Sequence, residues 1–218
     1  RPQPTTWNQS KFGDDPTALK LEDSQVIGAN LYLTLLASQV NGGFQLVPQG
    51  GLDVTPYRDP GLVWHNSFLQ AQTERPQEQY KLDGSRFVGG AKATHELKFG
   101  VGHREVETSS LTVWPGVGFQ LGAPGDFFTL LARDAYRRVE TTYDQAYLQD
   151  TLVRGNLTAN LGLRYENQGG ANLASSVRAN PLFPDLLPAV SYDGGDVGFE
   201  WTDLTPRLGL TYALGGER

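Results

Sequence analysis

The chain has 218 residues, a formal net charge of −6, and neither cysteine nor methionine. That composition excludes a disulfide framework and a thiolate metal site, and no run of about eighteen apolar residues exists to make a transmembrane helix. Net negative charge without a Lys/Arg cluster argues against nucleic acid as a partner.

Residues 1–24 are polar, rich in Pro, Asp and Gln, and read as a loop. From Val26 to Ser38 the pattern becomes period two. Ile27, Ala29, Leu31, Leu33, Leu35 and Ala37 alternate with Gly28, Asn30, Tyr32, Thr34, Leu36 and Ser38, which predicts a strand with one apolar face, long enough to cross a membrane at a tilt. Asn41-Gly42-Gly43 reads as a tight turn, with Phe44–Val47 as the partner strand. Pro and Gly make 48–60 a loop. Leu62–Thr73 and Gln79–Val88 are further strand candidates. In His95–Glu107, Leu97, Phe99 and Val101 face one way, and Glu96, Lys98, Gly100, Gly102 and Arg104 the other. Residues 112–135 read as a surface loop carrying short strands, and Val139–Leu152 as a long polar-aromatic strand. After a turn at 154–156, Leu157, Ala159, Leu161, Leu163 and Tyr165 alternate without a break with Thr158, Asn160, Gly162, Arg164 and Glu166. A Gly/Asn/Asp/Pro-rich loop over 168–203 precedes the last strand, 204–214. No helix and no internal repeat is predicted.

Short connections at 41–43 and 154–156, against long ones at 48–60, 112–135 and 168–203, give the asymmetry of an outer-membrane barrel. A structureless loop the length of 168–203 counts against a compact soluble domain. The fold expected is therefore all-β: an antiparallel transmembrane β-barrel segment with long extracellular loops and short periplasmic turns. Its strands average to a low hydropathy because apolar and polar residues alternate. The polar faces of 157–166 and 204–214 carry Gly, Asn, Thr, Arg and Ala, which suits a crowded polar lumen. Tyr165 and Tyr212 close the apolar faces and are expected at the membrane interface.

Tyr147-Leu148-Gln149-Asp150-Thr151, followed by Asn156-Leu157-Thr158-Ala159-Asn160-Leu161-Gly162-Leu163-Arg164-Tyr165-Glu166, resembles the "YxQDxW…NLTLNLGLRYE" strand pair of TonB-dependent receptor barrels. Leu152 stands where that family often has an aromatic residue. Thr205-Pro206-Arg207-Leu208-Gly209-Leu210-Thr211-Tyr212 resembles the family's "sPRlGlaY" strand, and His95-Glu96-Leu97-Lys98-Phe99-Gly100 its "HxLKFG". Lys20-Leu21-Glu22-Asp23 and Gly43-Phe44-Gln45-Leu46-Val47-Pro48 look like the Oar-like group within it. The resemblance implies outer-membrane transport of a large substrate, by uptake or in that group export. It implies lipid as a partner, energy from the TonB system through a plug domain, no enzymatic activity and no cofactor. About eight to ten strands are too few to close a 22-stranded barrel. With no signal peptide and an end at Gly-Gly-Glu-Arg, residues 1–218 are expected to be part of one such barrel domain, lacking the plug and the C-terminal strands.

Glu96, Lys98, Arg104, Arg164, Glu166 and Arg207 are expected to face the lumen. They would contact the plug or a passing substrate, or form a salt-bridge network that fills the wall, which is the favoured reading. His65, His95 and His103 lack metal-site spacing and read as strand or rim residues. Asp193, Asp196 and Asp203 stand in a Gly-rich loop where calcium is conceivable, but solvated carboxylates fit better. No nucleophile elbow, P-loop or dinucleotide fingerprint occurs. Two other architectures fit the alternation. One is a soluble β-sandwich binding module, for example carbohydrate-binding through Trp7, Trp64, Trp114 and Trp201, with the apolar faces meeting in a core. The other is a small closed barrel in which 204–214 pairs with the first strand.

Overall fold

The computed structural model describes residues 7–9, 17–48, 50–66, 69–116, 118–123, 126–198 and 200–215. In chain order the strands are β1 (Trp7–Gln9), β2 (Thr17–Ile27), β3 (Leu31–Asn41), β4 (Gly43–Pro48), β5 (Tyr57–Arg58) and β6 (Trp64–His65). There follow β7 (Gln70–Glu74), β8 (Gln77–Gly89), β9 (Thr94–Val113), β10 (Gly118–Ala123), β11 (Asp126–Leu131) and β12 (Ala135–Arg154). The last are β13 (Leu157–Asn172), β14 (Ser175–Val177), β15 (Val190–Tyr192), β16 (Gly195–Asp196) and β17 (Trp201–Tyr212).

One antiparallel sheet makes the wall. Its order at one end is β2-β3-β8-β9-β12-β13-β17, and at the other β1-β4-β7-β9-β12-β13-β16. Two passes are interrupted strands: β3 runs on into β4, and β7 into β8. Among the described residues the wall thus has fewer passes than the eight to ten expected. β2 pairs only with β3 and β17 only with β13, so the sheet is open among the described residues. Pairing of 204–214 with the first strand, which a small closed barrel needs, does not occur among the described residues.

The register puts the tight turns at 28–30, 90–93 and 155–156 on one rim and the connections 49–69, 114–134 and 173–200 on the other. The expected asymmetry holds, although one of the turns expected does not. Asn41–Gly43 is no hairpin. The chain keeps its direction there, and the break lies opposite Arg75-Pro76: Arg75 N–H donates to Gly42 O (2.7 Å), and Pro76 O accepts Glu107 N–H (3.1 Å). A Cβ on Gly43 would stand 1.9 Å from Thr73 O, so only glycine lets the strands close at this kink.

Three further expectations change. Residues 17–24, expected as loop, belong to β2. The single strand expected over 26–38 is a hairpin, because Ile27 and Leu31 are cross-strand partners on one face, so alternation reads through the turn in phase. Leu62–Thr73 is not one strand: it spans β6 and most of β7, which belong to different sheets. The long connections also carry structure of their own. β11-β10-β5-β6 form a four-stranded sheet, and β14 pairs with β15. In 168–203, expected without structure, buried Asn180 donates through Nδ2 to Ala132 O (2.8 Å) and accepts the N–H groups of Leu182 and Phe183 (3.1 Å each).

β9 and β12 have 20 residues each, about 66 Å along the strand, whereas about ten residues cross a bilayer. They are therefore about twice as long as a bilayer crossing needs, and the excess lies on the long-loop side.

Candidate functional site: the two faces of the wall

Cross-strand partners share a face. On one face stand Leu35, Leu82, Val101, Ala146, Tyr165 and Leu204, each paired to the next along one ladder. The ladders towards the short-turn rim add Phe99, Leu148 and Leu163, then Leu97, Leu161 and Leu208. This apolar face is the exposed one: Leu208 is 79% exposed, Leu148 58% and Leu161 49%. Apart from Pro48, Pro56 and Pro115 at the long-loop side, Ala159 is the one buried apolar side chain among the described residues. The apolar faces of 27–37, 157–165 and 204–214 therefore do not meet in a core, which is the condition a sandwich requires.

The opposite face is polar and more enclosed. Arg164 is its centre: Nε donates to Glu166 Oε1 (2.8 Å), and Nη2 to Gln145 Oε1 (2.6 Å) and Tyr143 Oη (3.1 Å). Tyr143 also donates to Glu166, and the Arg104 guanidinium lies 5.6 Å from the centre of the Tyr143 ring. Beside this group Tyr147 Oη donates to Asp83 Oδ1 (2.8 Å), while Lys81 pairs with Asp83 Oδ2 at 3.3 Å. A cleft of about 370 Å³ runs between Lys81, Asp83, Tyr147, Arg164 and Arg207.

All six charged residues singled out from the sequence lie on this face. Arg104, Arg164 and Glu166 converge on Tyr143. Glu96 and Lys98 form a separate pair (3.1 Å) nearer the short-turn rim. Arg207 lines the cleft, on the last strand, and makes no ion pair among the described residues. Tyr143, Gln145, Tyr147 and Asp83 were missed. Their signal is present: Tyr143, Gln145, Tyr147, Gln149 and Thr151 are alternate positions with no aliphatic residue among them. Glycine makes room for Tyr147. A Cβ on Gly100 would lie 2.5 Å from Tyr147 Cε1 and 2.6 Å from Asp83 Oδ1.

Tyr165 and Tyr212 are exposed on the apolar face at opposite ends of the apolar band, since Tyr165 pairs with Leu204 and Tyr212 with Leu157. The histidines are bound by carboxylates: His95 Nδ1 to Asp150 Oδ2 and His103 Nδ1 to Asp144 Oδ1, both 2.7 Å, and His65 Nε2 to Asp59 Oδ2, 2.8 Å. The first bond joins the two sequence motifs at 95–100 and 147–151. Asp59 lies in a long connection. The His65 bond, helped by Val63 N–H (3.0 Å), holds its carboxyl below the usual range. In the excess length on the long-loop side Glu107 bonds Arg138 and raises its basicity further. Asp196 accepts Gly198 N–H (3.0 Å), and Asp203 lies on β17 opposite Glu166. Among the described residues no three His, Asp or Glu side chains gather as a metal site needs. The four tryptophans are all on the long-loop side but at separate places: in β1, in β6, just after β9 and at the start of β17.

An antiparallel wall with its apolar face exposed, its polar face networked, and tight turns on one rim only is the wall of a transmembrane β-barrel. The chain matches the family described as TonB dependent receptor-like, beta-barrel, over residues 2–216, and it belongs to that family. Its members are outer-membrane transporters of Gram-negative bacteria, not enzymes. No curated protein and no solved structure matches the chain.

Proposed function

We propose that residues 1–218 form part of a single barrel domain, in the Oar-like group, that carries a large substrate through the outer membrane. TonB drives it through a plug domain elsewhere in the protein. The observation that carries this reading is the inverted burial, leucines outside and arginines inside. The motifs at 20–23 and 43–48 support the subgroup. Glu96, Lys98, Arg104, Arg164, Glu166 and Arg207 then face the lumen. Most of them fill the wall through their own network, and Arg207 is left for the plug or the cargo. Tyr165 and Tyr212 stand at the two membrane interfaces.

The test is fractionation and uptake with the intact protein. It should sediment with outer membranes, need detergent for extraction and migrate as a folded barrel unless boiled. Loss of TonB should abolish transport of its cargo. A monomer that stays soluble without detergent would overturn the reading.

A further inference from the structure

The two ends of the apolar face differ in charge. Past Val101, towards the long loops, this face carries Glu78, Glu105, Glu107, Glu140 and Asp144. Its arginine there, Arg138, is bound to Glu107. At the short-turn end stand Arg86, His95 and Asp150, with Lys92 and Arg154 at the adjoining turns.

Arg86 pairs with Leu97, so it is the diagonal neighbour of His95 on the same face. It is exposed, and its side chain has no ion pair or hydrogen bond among the described residues. A guanidinium on a face otherwise given to lipid reaches for the headgroup layer. His95 is fixed: a carboxylate only accepts, so Nδ1–H donates to Asp150. Its Nε2 has no partner among the described residues, and the ring is 40% exposed. Asp150 holds this geometry at a cost, because its Oδ1 is buried without a hydrogen-bond partner. From Asp150 an apolar groove of about 660 Å³ runs over Leu97, Phe99, Leu148, Leu161 and Leu208.

We infer that Arg86 and the imidazolium form of His95, which donates from Nε2 while Nδ1 stays on Asp150, hold the phosphate of one glycerophospholipid of the inner leaflet, with an acyl chain lying in the groove. Charge selects the leaflet. A phosphate meets an excess of cations at the short-turn rim, where Arg86, Lys92 and Arg154 outnumber Asp150 and which faces the periplasm in such barrels, and an excess of carboxylates at the other. A guanidinium matches phosphate geometry through parallel donors. The site rests on the membrane reading above.

The test uses the intact protein, extracted, delipidated and titrated with phosphatidylglycerol under native mass spectrometry. Wild type should retain one phospholipid more tightly than the rest. R86Q and H95Q should each weaken that first binding at least tenfold, while H103Q, at the far end, leaves it unchanged. Glycerol phosphate, which has no acyl chains, should not displace the lipid. Resistance to unfolding on unboiled gels separates lost binding from lost folding. Equal lipid retention by folded R86Q and H95Q overturns the inference and leaves the membrane reading standing. Displacement by glycerol phosphate at equal concentration removes the groove from the site. A soluble protein would instead overturn the membrane reading.

Discussion

Leu148 and Gln149 are neighbours in sequence and belong to opposite worlds. Leu148 stands 58% exposed in a field of leucines. Gln149 faces Lys98 and Gly162 across the polar wall. In a protein folded by water these environments would be exchanged. The difference teaches that the wall's stability comes from its ladder hydrogen bonds and its polar network, with the apolar side chains left for lipid.

Breaking that contrast on the lipid side should have the largest effect. Leu148→Lys puts an ammonium in the middle of the apolar band, and the folded barrel in vesicles should lose about 2–4 kcal/mol in a urea titration. Gln149→Glu places a charge one residue along, opposite Lys98, and should change stability by no more than about 0.5 kcal/mol. Equal and small effects at both positions would mean that Leu148 faces water.

The polar side can be broken by crowding. Gly100→Ala drives a methyl into the Tyr147 ring and the Asp83 carboxylate, and should cost about 1–3 kcal/mol. Gly209→Ala is the matched control on the same face. Its nearest neighbour, Asn160 Cβ, stands at 3.6 Å, ordinary contact, so the loss should be within about 0.5 kcal/mol. If both substitutions are silent, Tyr147 does not lie over Gly100. A smaller loss, about 1 kcal/mol, is expected for Tyr147→Phe, which takes one of two partners from the half-exposed Asp83. Adding Asp83→Asn should cost much less than it does alone, and a double-mutant cycle measures that coupling.

The contrast between faces was legible in the sequence because alternation is a local property. Leu157–Glu166 and Leu204–Leu214 fix their own faces whatever they pair with, and all six charged residues chosen from such runs share one face. What spans strands was not legible. Alternation passes unbroken through the 28–30 turn, so two strands read as one. Asn41-Gly42-Gly43 has the composition of a hairpin turn. Only the break at Arg75-Pro76, thirty-odd residues away, makes it a kink. The Tyr147–Asp83 and His95–Asp150 bonds depend on register across 64 and 55 residues, which no window of sequence contains.

The smallest expected effect lies off the wall and shows how far the long loops are independent of it. Asp59, in the connection between β4 and β7, accepts His65 and the N–H of Val63, and its carboxyl is held below the usual range by the first and then the second. A carboxylate shifted down stabilises above the unfolded carboxylate range and loses that contribution as pH falls through its folded value. The β5–β6 hairpin should therefore loosen below about pH 4 while the wall stays intact. Pepsin, active in that range, reads this directly: cleavage near Tyr57, Leu62 and Trp64 should rise as pH is lowered from 4 to 2. Asp59→Asn should be cut at both pH values. Cleavage at the same pH within β9 or β12 would instead mean that loops and wall open together, because a ladder of twenty residues does not depend on one loop carboxylate.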